Sequence, residues 1–251
     1  MHSESRLKVQ EPIDSNVRSL RELISLKNQS LLEHRYFRLC QTGELERGQM
    51  LELVKQLYCF SVFFERLLTR RITEYSSRGD RRLLQMAREH LREEIGHADL
   101  FRACLENNGI SPEEVSSIEP KLFTKAMFGY LVATIQHENE YVTNVAIMQV
   151  MESIGFLFFS NTLRAMDAHN LSADALVQHT EADEHHPEMG WELVPSFDED
   201  TMADCRRVVD DLYRLMGFTL DEWLGLMPTA AGSTGTARRA RQSTRPARRA
   251  S

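Results

Sequence analysis

Three imidazoles and three carboxylates in this chain fall at helical spacings that can aim them into one cavity. The densest group is His179-Thr180-Glu181-Ala182-Asp183-Glu184-His185-His186. An α-helix turns about 100° per residue, so His179, Asp183 and His186 lie within a sector of roughly 60°. His185 falls about 100° from His186 and points away from the other three. Glu94-Ile95-Gly96-His97 sets a carboxylate and an imidazole one turn apart. Glu152 is the only charged residue between Val145 and Phe159, and an uncompensated carboxylate buried there is costly unless something positive meets it. Imidazole and carboxylate donors together suit iron or manganese, and the absence of thiolates argues against a structural zinc site.

The neighbouring residues sharpen the choice of donors. With His97 as zero on the wheel, Leu83, Ala87, Ala98, Phe101 and Leu105 cluster at roughly 40–100°; Glu94 sits among them near 60°, whereas Glu93 lies outside the stripe near −40°. Glu94 is therefore the better ligand. His90, near 20°, also faces inward and reads as a histidine that supports ligands rather than one that binds metal. Glu65 shares its side of a helix with Val54, Tyr58, Ser61 and Ile72, which leaves a further ligand or an ion pair as its two readings. Each group has a plainer explanation: an incidental E-x-x-H on a solvated face, a core ion pair between Glu152 and an arginine, a polar surface at 179–186. Six suitably directed donors on three helices make coincidence of all three a poor account.

The elements that must hold these residues read as helices throughout. Apolar residues recur at spacings of three and four, and no segment reads as a strand. Helices are expected near 16–28, 30–41, 45–76, 80–108, 121–137, 140–169, 172–194 and 199–225, with breaks at Thr42-Gly43, Ser77-Arg78-Gly79-Asp80, Asn107-Asn108-Gly109, Glu119-Pro120, Asn170 and Pro195. Pro187 interrupts the helix drawn through it. Ser111-Pro112-Glu113-Glu114 has a capping serine, proline at the first helical position and acids in the first turn, so a short helix starts there. The chain divides into an N-terminal segment at 1–15, one all-α domain at 16–227 and a disordered Arg-rich tail at 228–251.

With 251 residues and 42% hydrophobic content, the chain can bury a full core as one domain. Net charge is −7; six arginines between Arg238 and Arg249 contribute +6, so the rest of the chain carries −13. An acidic body excludes nucleic acid as the main partner. Cys40, Cys59, Cys104 and Cys205 are scattered without a paired framework, as in a reduced cytoplasmic protein. Neither end resembles a targeting signal, and the longest apolar run, 145–159, is interrupted by Gln149 and Glu152, so no membrane role is expected.

The runs REHLREEIGHADLFRACLENNGISPEEV, AIMQVMESIGFLFF and HTEADEHHPEMG resemble those of the heme-oxygenase-like di-iron oxidases and oxygenases. The resemblance implies a compact bundle of about seven helices, usually dimeric, holding two iron ions that use O2 as co-substrate, with manganese as an alternative metal and no heme. It implies ligation by Glu94, His97, Glu152, His179, Asp183 and His186. A second resemblance is to ferritin-like di-iron proteins, with Glu65, Glu94-x-x-His97, Glu152 and Asp183-x-x-His186 in order. From that plan the chain departs through Asp183 and the extra His179. Both resemblances imply nearly the same ligands. In the first family an additional carboxylate goes with oxygenation of amine nitrogens, so Glu65 weighs toward N-oxygenation of a small amine to a hydroxylamine or nitro product, with an external electron donor. Alternatives are C–H or C–C cleavage of an amino acid or fatty acid, and a non-enzymatic iron-binding protein. A thiaminase-like hydrolase on the same fold would instead need a reactive cysteine in its cavity and no metal.

Overall fold

The structure, a computed structural model, describes residues 15–78, 80–174, 176–177, 190–191 and 197–227. The readings that concern residues 1–14, Pro187, most of the expected helix 172–194 and the Arg-rich tail lie outside the described residues, as do His179, Asp183, His185 and His186. Among the described residues there is no strand. The helices are α1 (Ser15–Leu32), α2 (Arg35–Thr42), α3 (Arg47–Arg78), α4 (Arg81–Glu94), α5 (His97–Asn107), α6 (Pro112–Ser116), α7 (Leu122–His137), α8 (Glu140–Asn144), a π-helical stretch (Val145–Met151), α9 (Glu152–Ala168) and α10 (Glu199–Trp223).

The long α3 forms one wall of the bundle and packs against α4, α5, α7 and α10. The continuous run from α8 through the π-helical stretch into α9 crosses the centre, covered by α10, α7, α1 and α2. Every residue from Val142 to Ile154 is buried, as expected of a helix that is apolar all round and therefore interior. Glu140–Ala168 is long and apolar enough to cross a membrane, yet 78% of its most apolar window is buried inside the bundle, so its apolar length is core.

Helix ends are tied down by polar groups of other helices. α7 lacks a side-chain cap of its own. Instead Glu222 of α10 accepts from the Leu122 and Phe123 N–H groups at 3.1 and 2.8 Å, satisfying two donors at the positive end of the helix. At the other end of α7, Arg78 of α3 donates to the carbonyls of Ile135 and Glu138. The short helix expected after Ser111 is α6, and the Ser111 hydroxyl accepts from the Glu114 N–H at 3.2 Å.

The α4 cap offers a direct test. Asp80 accepts from the N–H groups of Arg82 (2.9 Å) and Leu83 (3.1 Å) and from the Tyr141 hydroxyl. The Leu83 hydrogen bond, foremost among these, holds its carboxyl below the ordinary 3.8. Asp80→Ala should cost about 1 kcal/mol in urea unfolding at pH 7. Because the folded pKa is depressed, the carboxylate's contribution is present above the ordinary value and fades as the pH falls through the folded one. The difference between wild type and variant should therefore narrow below pH 4; a constant difference down to pH 2 would contradict the cap.

Two of the expected helices are corrected. The segment 80–108 is not one helix: Ile95 is extended and Gly96 takes φ of 98°, which separates α4 from α5. Such a φ favours glycine, and a residue with a Cβ would be strained there. The segment 140–169 is not regular: at Val145–Met151 the hydrogen bonds run i to i+5. Helical periodicity carries no sign of either irregularity.

Candidate metal centre

The break after Glu94 shapes the site. Within α4, Leu83, Met86, Ala87, His90 and Glu94 are the buried residues, while Glu93 is exposed. The expected preference for Glu94 over Glu93 thus agrees with burial inside α4, although the wheel cannot be carried across Gly96 to His97. The chain turns there, and His97 opens α5 with its Nδ1 2.9 Å from Glu94 Oε2. Glu65 of α3 accepts the Gly96 N–H through Oε1 at 3.1 Å. It therefore supports the turn between the two candidate ligands.

Glu152 enters from the opposite side, at the first position after the π-helical stretch, and is 5% exposed. Its Oε1 lies 2.9 Å from His90 Nε2, and Glu94 Oε1 lies 3.9 Å from the same nitrogen. Donor atoms of His90, Glu94 and Glu152 all fall within 4.8 Å of one another. Two buried carboxylates this close repel each other and favour a cation between them. The internal segments outside the described residues hold no Lys or Arg, since neither occurs anywhere in 170–205.

Distance alone groups His90 with the two carboxylates as a ligand. Its other face argues for a different role. Arg71 Nη1 lies 3.4 Å from His90 Nδ1, and a guanidinium can only donate. Nδ1 is then the acceptor, and the proton of the neutral ring sits on Nε2, toward the carboxylates. The Nε2 approach to Glu152 is close but off-axis, a charge contact rather than a linear hydrogen bond. In this tautomer Nε2 has no lone pair for a metal, so His90 orients Glu152.

Arg71 itself escaped the sequence reading. It is wholly buried, donates through Nη2 to Asn144 Oδ1 at 2.7 Å, and stacks over the Tyr75 ring. Asn144 in turn donates to Gln149 inside the π-helical stretch. A signal existed: Arg71 falls on the stripe of Leu67, Leu68 and Tyr75, all buried, where an arginine is out of place. Gly190 also closes on this network. Its φ is 85°, and a Cβ there would lie 2.8 Å from Met86 Sδ and 3.3 Å from Asn144 Nδ2. Glycine is required on both counts, and the chain leaving the 178–189 segment is thereby pinned beside Asn144.

Glu94 and Glu152 form part of the wall of a cavity of about 650 Å³, counting its open mouth. The rest of its described lining is apolar apart from Ser61. No cysteine lines it; all four thiols are buried elsewhere, and burial pushes Cys40, Cys59 and Cys104 up to about 11 and Cys205 to about 12. Nothing there resembles a thiolate nucleophile. Oxygen and nitrogen donors with no sulfur fit a non-heme iron ion.

A helical bundle with an interior carboxylate–histidine cluster defines a class, and the comparisons identify it. Residues 51–218 match the family described as iron-containing redox enzymes, and the chain belongs to that family. Among solved structures, a domain of unknown function with a heme oxygenase-like fold from Shewanella denitrificans is similar at 16% identity and a TM-score of 0.71, covering 83% of this chain and 92% of that one. A TenA homolog from Pseudomonas syringae pv. tomato shares 15% identity at a TM-score of 0.68, covering 85% and 94%. A CADD-like protein from Nostoc punctiforme shares 13% identity at a TM-score of 0.64, covering 83% and 95%. At these identities the likeness is one of fold, and the fold is heme oxygenase-like. None of the curated proteins matches this sequence.

Proposed function

We propose that the protein is a cytoplasmic non-heme di-iron oxygenase that oxygenates the nitrogen of a small amine. The observation that carries this reading is the pair of buried carboxylates, Glu94 and Glu152, converging with histidine on the wall of an apolar cavity. Glu94, His97 and Glu152 would hold iron together with His179, Asp183 and His186. When bound, iron supplies the O2 chemistry: one oxygen atom enters an N–O bond, and the other leaves as water with two electrons and two protons from an external donor. His90 holds a proton at Nε2 and keeps Glu152 in place. Glu65, anchored at the Gly96 turn, sets a further carboxylate beside Glu94 and His97, which supports nitrogen rather than carbon as the site of attack. The apolar lining excludes water. A homodimer is part of the same proposal.

Fe(II) titration of the metal-free protein under argon should reach two ions per chain, and O2 with an electron donor and an amine should yield a hydroxylamine or nitro product by mass spectrometry. Carbon-oxidised or chain-cleaved products alone would move the reading to C–H or C–C cleavage. Iron uptake without any product would leave an iron-binding protein.

The helical phase of the third cluster has its own test. His179→Ala and His186→Ala should each lower iron stoichiometry and abolish product, whereas His185→Ala should do neither. Equal damage from all three would show that the H-x3-D-x2-H spacing does not select the ligands.

A further inference from the structure

We infer that the ligand of this cavity is an amine with an apolar body and no carboxylate, an inference that rests on the oxygenase reading above and narrows it. The walls are aromatic on several sides: Phe60 and Phe64 from α3, Phe101 from α5, Phe158 from α9 and Trp223 from α10. The Trp223 indole N–H is already donated to Thr124 Oγ1 at 2.9 Å, so this ring contributes surface and no donor. Ser61 is the one uncharged polar side chain in the described lining. A volume of about 650 Å³ lies inside the usual range for small-molecule pockets, roughly 300–1,000 Å³.

Charge decides between the candidate head groups. The described lining holds two carboxylates and no lysine or arginine. The internal segments not described cannot add one, because 170–205 contains none. Arg71 is the buried cation nearest in the chain of contacts, but its Nη atoms are committed to Asn144 and His90, and it does not line the cavity. A substrate carboxylate would therefore lose its water among aromatic rings while facing Glu94 and Glu152. With two Fe(II) ions bound, three or four protein carboxylates already match most or all of the metal charge, leaving little for another anion. An amine meets the opposite situation. As an ammonium it is drawn to the carboxylates and to the ring faces. Inside the apolar walls desolvation favours its neutral form, and that form carries the nitrogen lone pair an N-oxygenation needs. A free amino acid brings both groups and suffers the carboxylate penalty.

The test uses the full chain loaded with Fe(II) under argon and calorimetric titration with butylamine, hexylamine, octylamine, octanoate and 2-aminooctanoate. Octylamine should bind at least tenfold more tightly than octanoate or 2-aminooctanoate, and affinity should rise about fourfold per added methylene along the amine series. Ser61→Leu, which adds bulk to the wall, should weaken octylamine at least tenfold at unchanged iron stoichiometry. Leu57→Ala, which enlarges the cavity, should shift the best chain length upward and reads the same wall if Ser61→Leu fails to fold. Octanoate or 2-aminooctanoate binding as tightly as octylamine, or amine affinity independent of chain length, would overturn the inference. Adding O2 and an electron donor separates it from the oxygenase reading. Octylamine that binds as expected but yields no N–O product leaves the cavity assignment standing and sinks N-oxygenation. An N–O product formed only from polar amines, with octylamine unbound, does the reverse.

Discussion

Glu152→Ala is expected to lose iron by more than about a hundredfold in affinity, beyond the roughly 10–100-fold that accompanies loss of a group merely supporting a ligand, and to lose product with it. The metal-free variant should nevertheless melt at or above the wild-type temperature. In the metal-free protein Glu152 and Glu94 are buried within the same 4.8 Å cluster, and removing one relieves both repulsion and desolvation. Functional carboxylates commonly carry this trade of stability for activity. If Glu152 is instead a structural partner of His90, the outcome inverts: the variant should keep its iron and lose about 3–5 kcal/mol of stability. Differential scanning calorimetry with and without Fe(II), together with metal analysis, separates the two.

Arg71→Met should be the most destabilising single substitution near the site, by about 3–5 kcal/mol, because it strips the buried Asn144 Oδ1 of its strongest donor and uncouples α3 from the π-helical stretch. For a domain of this size that corresponds to a fall in melting temperature of roughly 6–20 °C. A second readout is specific to the role assigned here. Without the guanidinium, His90 Nδ1 is no longer obliged to accept, so the imidazole should populate both neutral tautomers, visible in its ¹⁵N chemical shifts. A single unchanged tautomer in a folded variant would show that Arg71 does not set the proton on Nε2.

Much of this arrangement was legible in the sequence because it obeys one period. Glu94 could be preferred to Glu93 since α4 is a regular amphipathic helix whose stripe includes it. Glu152 stood out because a charge in an apolar run must be compensated. The short helix after Ser111 followed from its cap and proline. What escaped detection breaks the period or hides within it. The 80–108 pattern stays helical on both sides of Ile95-Gly96, and only the backbone shows φ of 98° between them. The π-helical stretch lies where every residue is buried, so no polar face exists whose drift could reveal a change of phase. Arg71 followed the opposite rule: its position was plain, but arginine so rarely sits wholly buried that the residue type outweighed the stripe.

The π-helical stretch also affects how this chain can be compared with others. An i to i+5 stretch accommodates one more residue than the same length of α-helix, and one residue corresponds to about 100° of rotation. A homologous chain lacking that extra residue would present its carboxylate in the same place while numbering one position short. Aligning the two column by column without a gap would then match Glu152 to a residue on a different side of the helix. In this stretch spatial superposition is the sounder ruler. By the same geometry, a one-residue deletion between Val145 and Met151 acts as a switch of direction: the helix persists, and the residue facing the metal site changes identity.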